Sequence, residues 1–203
     1  MNSQENYFRS PELMNVGDTA LLVVDVQEKL ISQIAGRARM EWNIGRLIDA
    51  ARILSIPYLV TEQYPKGLGP TTEFLRKKIE SDAAVFEKTA FSCCGSESFR
   101  KQLAQIAPAK ILVTGIESHV CVQQTVLDLL SDGYRVLVAV DAIGARNAVD
   151  HRLAARRIET EGAVMTSTEA AIFEWCEDSQ RTEFKQLQKL VLDPGPDSKE
   201  PIG

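Results

Sequence analysis

The chain has 203 residues, a formal net charge of −5 and ordinary apolar and charged fractions of 44% and 25%. That length suits one α/β domain with a sizeable core. The acidic balance and the absence of a clustered Lys/Arg run argue against a nucleic-acid surface. The apolar runs are too short to span a bilayer, so neither nucleic acid nor membrane is an expected partner.

Residues 1–18, "MNSQENYFRSPELMNVGD", are polar and lack the apolar centre of a secretory signal. Cys93, Cys94, Cys121 and Cys176 show no spaced framework and read as reduced thiols of a cytoplasmic protein. No paired C-x-x-C occurs and the chain holds 2 histidines, so no zinc pattern is present.

"TALLVVDV" (19–26) is a continuous β-branched and leucine run, the pattern of a strand buried on both faces. Met40, Ile44, Leu47, Ile48, Ala51 and Leu54 then recur at helical spacing. "PYLVTEQ" (57–63) is the next strand, and "YPKGLGPT" (64–71) is a loop rich in turn residues. A polar helix over 71–81 leads to the strand "AAVFEK" (83–88).

The second half repeats the rhythm. A helix over 96–106 precedes the strand "KILVTGI" (110–116). A helix over 118–132 follows, with Gly133 where a left-handed residue closes it. "YRVLVAVDAI" (134–143) is the fifth strand, "NAVDHRLAARRIETEG" (147–162) a helix, and "AVMTST" (163–168) the sixth strand. Helical segments over 168–175 and 179–192 come last.

Strands alternating with helices imply right-handed crossovers, hence a three-layer α/β/α, Rossmann-like fold around a six-stranded parallel sheet. No internal repeat or linker divides it. Residues 1–18 read as an N-terminal extension, 19–192 as the domain, and 193–203, "DPGPDSKEPIG", as a tail too polar and Pro/Gly-rich to pack.

In such a sheet, ligands bind beyond the carboxyl ends of the strands. Polar residues ending apolar strands are therefore site candidates. Asp25 ends the first strand, Lys88 the third, and Cys121 follows the fourth in the first turn of the next helix. Taken singly, each has a plain alternative: a capped carboxylate, a solvated lysine, a small core residue. Together they offer an acid, a base and a thiol. A helix N-terminus and a nearby ammonium would both lower the thiol's pKa. The carboxylate could take the thiol proton and later pass it to a leaving amine. Glu62 and Gln63 also end a strand, either lining the site or facing solvent. "GLGPT" does not match a phosphate-binding glycine loop, and no Walker pattern exists, so no nucleotide or other cofactor is expected.

"ALLVVDVQEKL", "VTEQYPKGLGPT", "FEKTAFSCCG" and "VTGIESHVCVQQTVLDLLSDGYRVLVAVDAIGAR" together resemble the isochorismatase-like cysteine hydrolase superfamily, in the right order over residues 19–168. The resemblance implies an Asp-Lys-Cys triad of Asp25, Lys88 and Cys121. It also implies a non-proline cis peptide at Ile116–Glu117, which would aim the Glu117 N–H inward. The N–H groups of Glu117 and Cys121 would then form an oxyanion hole. Metal-binding members carry histidines after the second strand; "TEQYPKGLG" has none, so no metal is expected. Members lacking the nucleophile cleave a vinyl ether, and Cys121 sets this chain apart from them. The implied activity is hydrolysis of an amide-type bond in a small-molecule substrate through a thioester. Gln63, Phe91 and His119 are candidate substrate contacts, though His119 would equally suit a subunit interface, and family habit implies a homo-oligomer. The alternative is a non-catalytic assembly protein that retains the fold.

Overall fold

The computed structural model describes residues 8–81 and 83–196. Six strands, β1 (Thr19–Val24), β2 (Tyr58–Gln63), β3 (Val85–Lys88), β4 (Lys110–Ile116), β5 (Arg135–Gly144) and β6 (Val164–Thr166), form one sheet in the order β3-β2-β1-β4-β5-β6. Every pairing is parallel. All residues of β1 and β4 are buried. That is why these two strands read as unbroken apolar runs rather than alternating ones.

The sheet's two faces are sorted by the two-residue period of a strand. Leu21, Val23 and Leu112 point into one cluster, closed by α2 (Arg37–Ile53), α8 (Thr168–Cys176) and α9 (Phe184–Leu192) through Ile44, Leu47, Trp175 and Leu187. Leu22, Val24, Ile111 and Val113 point into the other, closed by α5 (Glu97–Ile106), α6 (Gln123–Ser131) and α7 (Ala148–Thr160) through Phe99, Val126, Leu129 and Ile158. Strand order reverses between β1 and β4, and their carboxyl ends therefore open a crevice at the switch point.

Two local features shape that crevice. Gly115 has φ of +117°, and a Cβ there would lie 2.1 Å from Val24 O. Only glycine lets β4 approach β1 so closely. On the far side of β4, the pairing jumps from Val113↔Val138 to Gly115↔Ile143, so β5 bulges. The bulge carries Asp141, whose Oδ1 accepts from Thr168 N (2.8 Å) and Thr168 Oγ1 (3.0 Å), while its backbone O accepts from Asn43 Nδ2 at 2.7 Å. One carboxylate thus ties α2, β5 and the start of α8 together.

Some elements differ from the sequence expectation. The polar helix expected over 71–81 is a single turn, α4 (Glu73–Arg76), which buries only Leu75. Short helices α1 (Glu28–Ile31) and α3 (Pro65–Leu68) sit in segments without helical periodicity. The helix expected from Ser118 begins as one π-helical turn, Ser118–Val122, before α6. The last helix starts at Phe184 rather than 179, the preceding residues being held in turns by Asp178.

Both ends of the domain are tied down where they are described. Met14 is fully buried, and its N–H donates to Glu174 Oε2 at 2.8 Å. The expectation that 193–203 does not pack gives way for residues 193–196. Arg39 Nη1 donates to Pro194 O at 2.7 Å, and Gly195 lies against the Trp42 ring. A carbonyl and a glycine suffice for this, since the contacts use backbone rather than apolar side chains. Residues 1–7 and 197–203 lie outside the described residues.

Candidate active site

β1 ends in a residue of unusual conformation. Asp25 has φ of +52°, a region that Asp tolerates better than most L residues. Its carbonyl accepts from Gln27 N at 2.8 Å, and its N–H donates to Thr61 O at 3.2 Å. This tight turn swings the carboxylate away from its apolar neighbours into the crevice, where its side chain is fully buried.

Register brings Lys88 to meet it. Gln63 pairs with Lys88 at the ends of β2 and β3, one strand beyond β1. Lys88 Nζ donates to Asp25 Oδ2 at 2.6 Å, with both side chains wholly inaccessible. The same ammonium donates to Gln63 Oε1 (2.7 Å) and Phe91 O (2.8 Å), with Ala90 O farther off at 3.3 Å. Three N–H bonds thus meet three close acceptors, which leaves Lys88 no donor for a substrate oxygen. A buried ion pair is a poor source of stability, because desolvation offsets the Coulombic gain.

Cys121 approaches the same carboxylate from the π turn after β4. Its thiol lies beside the Asp25 carboxylate, and the residue is 5% exposed. The Ile116–Glu117 peptide is cis. Glu117 O accepts from Val120 N at 3.0 Å and Val122 N at 3.2 Å, which winds the turn that carries Cys121. Sequence reasoning expected Lys88 and a helix start to lower the pKa of this thiol. Instead, burial pushes it up, and the Asp25 charge adds to the rise more than Lys88 offsets it. The resting sulfur is a protonated thiol with a carboxylate beside it.

A second thiol shares this neighbourhood. Cys93, fully buried at the start of a 3-10 turn (Cys93–Gly95), has its Sγ 3.5 Å from Thr61 Oγ1, and its N–H donates to Thr125 Oγ1 at 2.9 Å. Burial and Asp25 push its pKa up to about 12. Thr61 Oγ1 also donates to Asp25 Oδ1 at 2.7 Å. Neither residue was singled out from sequence. Thr61 had a readable signal: it stands two residues before Gln63 and so shares its strand face. Cys93 had none beyond its neighbour Cys94.

The remaining candidates lie at different depths. Gln63 is buried, with its amide committed to Lys88 and, through Nε2, to Thr89 O at 2.7 Å. Glu62 serves the loop beyond β2, its Oε1 accepting from Thr71 N at 2.6 Å and Thr71 Oγ1 at 2.7 Å. Phe91 is 53% exposed. The side chain of His119 is 25% exposed, 3.9 Å from Glu117 Oε2 and 4.0 Å from Asp150 Oδ2. The Glu117 carboxylate is gripped by Arg146, Nε at 2.9 Å and N at 3.1 Å. Ser118, three positions before Cys121, shares a 2.9 Å hydrogen bond with His151 Nδ1. A cleft of about 400 Å³ abuts Lys88 from the β3 side, between Tyr64, Lys66 and Ser96, and Cys121 is not part of its wall. Among the described residues, no group of three or more His, Cys, Asp or Glu is placed to hold a metal ion.

A three-layer parallel sheet with an acid, an ammonium and a thiol at its switch point defines an isochorismatase-like α/β protein. The chain belongs to that family: residues 19–170 match the isochorismatase domain. Isochorismatase domain-containing protein 2 of Danio rerio is 35% identical over 181 residues, covering 89% of this chain and 90% of the relative. The structure of a MAR1 ribonuclease from Caenorhabditis elegans superposes with a TM-score of 0.87 at 41% identity, covering 94% of this chain and 98% of the other. The YcaC product of Escherichia coli, an octameric hydrolase of unknown specificity, shares the fold with a TM-score of 0.84 at 23% identity, over 91% of each chain. The family is generally hydrolytic.

Proposed function

We propose that the protein is a cysteine hydrolase that cleaves an amide-type carbon–nitrogen bond of a small molecule. One observation carries this reading: the Asp25 carboxylate holds the Lys88 ammonium at 2.6 Å and stands beside the Cys121 thiol. Family membership supports the hydrolytic class.

In the proposed cycle Asp25 removes the thiol proton as sulfur attacks the substrate carbonyl. Lys88 offsets the anionic charge of the site through that transfer. The backbone N–H groups of Glu117 and Cys121 receive the oxyanion, each such donor contributing about 2.7–4 kcal/mol to the transition state. The carbon–nitrogen bond breaks as Asp25 returns its proton to the amine. Water then adds to the thioester with Asp25 again as base. The carbon–sulfur bond breaks, the sulfur recovers the proton, and a carboxylic acid leaves. No step calls for a metal or cofactor.

The test is ammonia or amine release across a panel of small amides, with Cys121→Ala as the control. Turnover by the native chain, lost in the variant while its circular dichroism is kept, is the expected result. Full turnover by Cys121→Ala would refute the assignment. The same preparation incubated with RNA addresses a nucleolytic reading, which the MAR1 relative's name raises. Cleavage that survives in Cys121→Ala would favour that reading. A retained fold with no turnover on either substrate would favour the non-catalytic alternative.

The four cysteines are free thiols, which suits a reducing cytoplasmic compartment, and no helix among the described residues is long and apolar enough to cross a membrane. Self-association, as in the octameric neighbour, is also expected. Light scattering that returns a monomer mass would remove that part.

A further inference from the structure

We propose that β2 positions the reactive centre: Thr61 and Gln63, two residues apart and so on one face of the strand, hold Asp25 and Lys88, and the buried Cys93 thiol anchors Thr61. This rests on the cysteine-hydrolase reading of the same site.

Hydrogen-bond directions follow by elimination. An ionised Asp25 can only accept, so the single Thr61 hydroxyl proton points to Asp25 Oδ1, 2.7 Å away. Between Thr61 Oγ1 and Cys93 Sγ, at 3.5 Å, the sulfur is then the donor. The result is a one-way chain, Cys93 S–H to Thr61 O–H to Asp25 Oδ1, within a site where all three residues are fully buried. The other oxygen, Oδ2, takes Lys88. Donors thus fix both oxygens of the carboxylate in place beside the Cys121 thiol.

Gln63 performs the matching task for the cation. Its Oε1 accepts from Lys88 at 2.7 Å, and its Nε2 is braced on Thr89 O at 2.7 Å. Gln27 fixes the Gln63 backbone from both sides: Gln27 Oε1 accepts from Gln63 N at 2.8 Å, and Gln27 Nε2 donates to Gln63 O at 3.0 Å. The end of β2 is therefore rigid where it touches the ion pair. The groups that face Asp25 with charge or a titratable proton are Lys88 from β3, Cys93 from the 3-10 turn and Cys121 from the π turn. Thr61, Gln63 and Gln27 are uncharged, so they set geometry and hydrogen-bond supply without adding charge. Cys93 is thereby a spent donor, not a second nucleophile.

The probe is iodoacetamide on the full-length chain. Labelling at each cysteine is followed by peptide mass spectrometry from acid to alkaline pH, with circular dichroism as the fold control. In the native chain, Cys121 should label faster than the half-buried Cys94, because Asp25 takes its proton as the sulfur attacks, and Cys93 should stay unlabelled. Thr61→Val should slow Cys121 labelling about tenfold, the ratio for one charge-assisted hydrogen bond, and move the acid limb of the profile to higher pH. Thr61→Ser should restore both, which a merely structural role would not require. A Thr61→Val profile that matches the native one, a Thr61→Ser variant that restores neither, or Cys93 labelling ahead of Cys121, overturns the proposal. Should Thr61→Val fail to fold, Gln63→Met decides: slower Cys121 labelling supports the proposal and an unchanged rate overturns it. A native Cys121 no faster than Cys94 would instead sink the hydrolase reading itself, so the two failures are separable.

Discussion

The Asp25–Lys88 pair separates what the site does from what the fold needs. Asp25→Asn leaves a fully buried ammonium without its counter-charge, and breaking such a pair by removing one partner costs about 3–5 kcal/mol. Pairing Asp25→Asn with Lys88→Met removes both charges. The double variant should regain much of the lost denaturant midpoint, yet show no turnover and slow Cys121 alkylation. A double variant as unstable as the single one would mean that the pair is structural. The residues of this site were legible in the sequence to different degrees. Asp25 and Lys88 stood out because a charge at the end of an apolar strand needs a reason, and Cys121 because it follows such a strand. Thr61 was legible only through the two-residue period it shares with Gln63, and Cys93 was opaque, since the value of both depends on lateral register across β1, β2 and β3, which strand spacing alone does not supply. The ionisation state of Cys121 was misjudged for a related reason. A helix start and an ammonium are visible in sequence, whereas the degree of burial that outweighs them is not.

At the level of elements, the site exists because β1 and β4 approach closely at their carboxyl ends. Gly115 permits this twice over, by a φ of +117° and by the absence of a Cβ that would lie 2.1 Å from Val24 O. Gly133 offers a built-in comparison, with φ of +87° but nothing within 4 Å of its virtual Cβ. Gly133→Ala should lose only the conformational part, about 1 kcal/mol. Gly115→Ala must also push two central strands apart, so its loss should reach about 3 kcal/mol or more. Cys121 alkylation should fall with it, because the strand ends carry Asp25 and the π turn. Equal midpoints for the two variants, measured by urea denaturation, would contradict this. Strands were the legible elements, since β-branched runs of limited length have few other uses. Short helices were not: α1, α3 and α4 each have 4 residues and bury at most one side chain, so no apolar period develops. The π turn was hidden for the opposite reason, because "SHVCVQQT" has ordinary helical spacing and only the Glu117 carbonyl, shared by Val120 and Val122, shows the wider winding.

For the whole molecule, the pH dependence of stability joins sites that no local view connects. Burial holds His151 below its ordinary value of 6.5, where the ring shares a hydrogen bond with Ser118 at the start of the π turn. The unfolded chain binds a proton to this residue more readily than the folded chain does. Stability is therefore full above 6.5 and declines as pH falls through the lower folded value. Asp18 adds a second step at the opposite end of the sheet. Burial pushes its carboxyl up, but hydrogen bonds from Lys110, Asn15 N–H and Thr19 together outweigh burial and bring it below 3.8. Its contribution is likewise present above 3.8 and lost as pH falls through the folded value. Thermal melts across the acid range should show Tm falling in two stages, the first set by the carboxyl-end helix turn, the second by the β1–β4 amino ends. His151→Gln should flatten the first stage and leave the second; Asp18→Asn should do the reverse, and should lower Tm at neutral pH as well, because Lys110 loses a partner while 4% exposed. A His151→Gln profile that still falls through the first stage would place that transition elsewhere in the molecule.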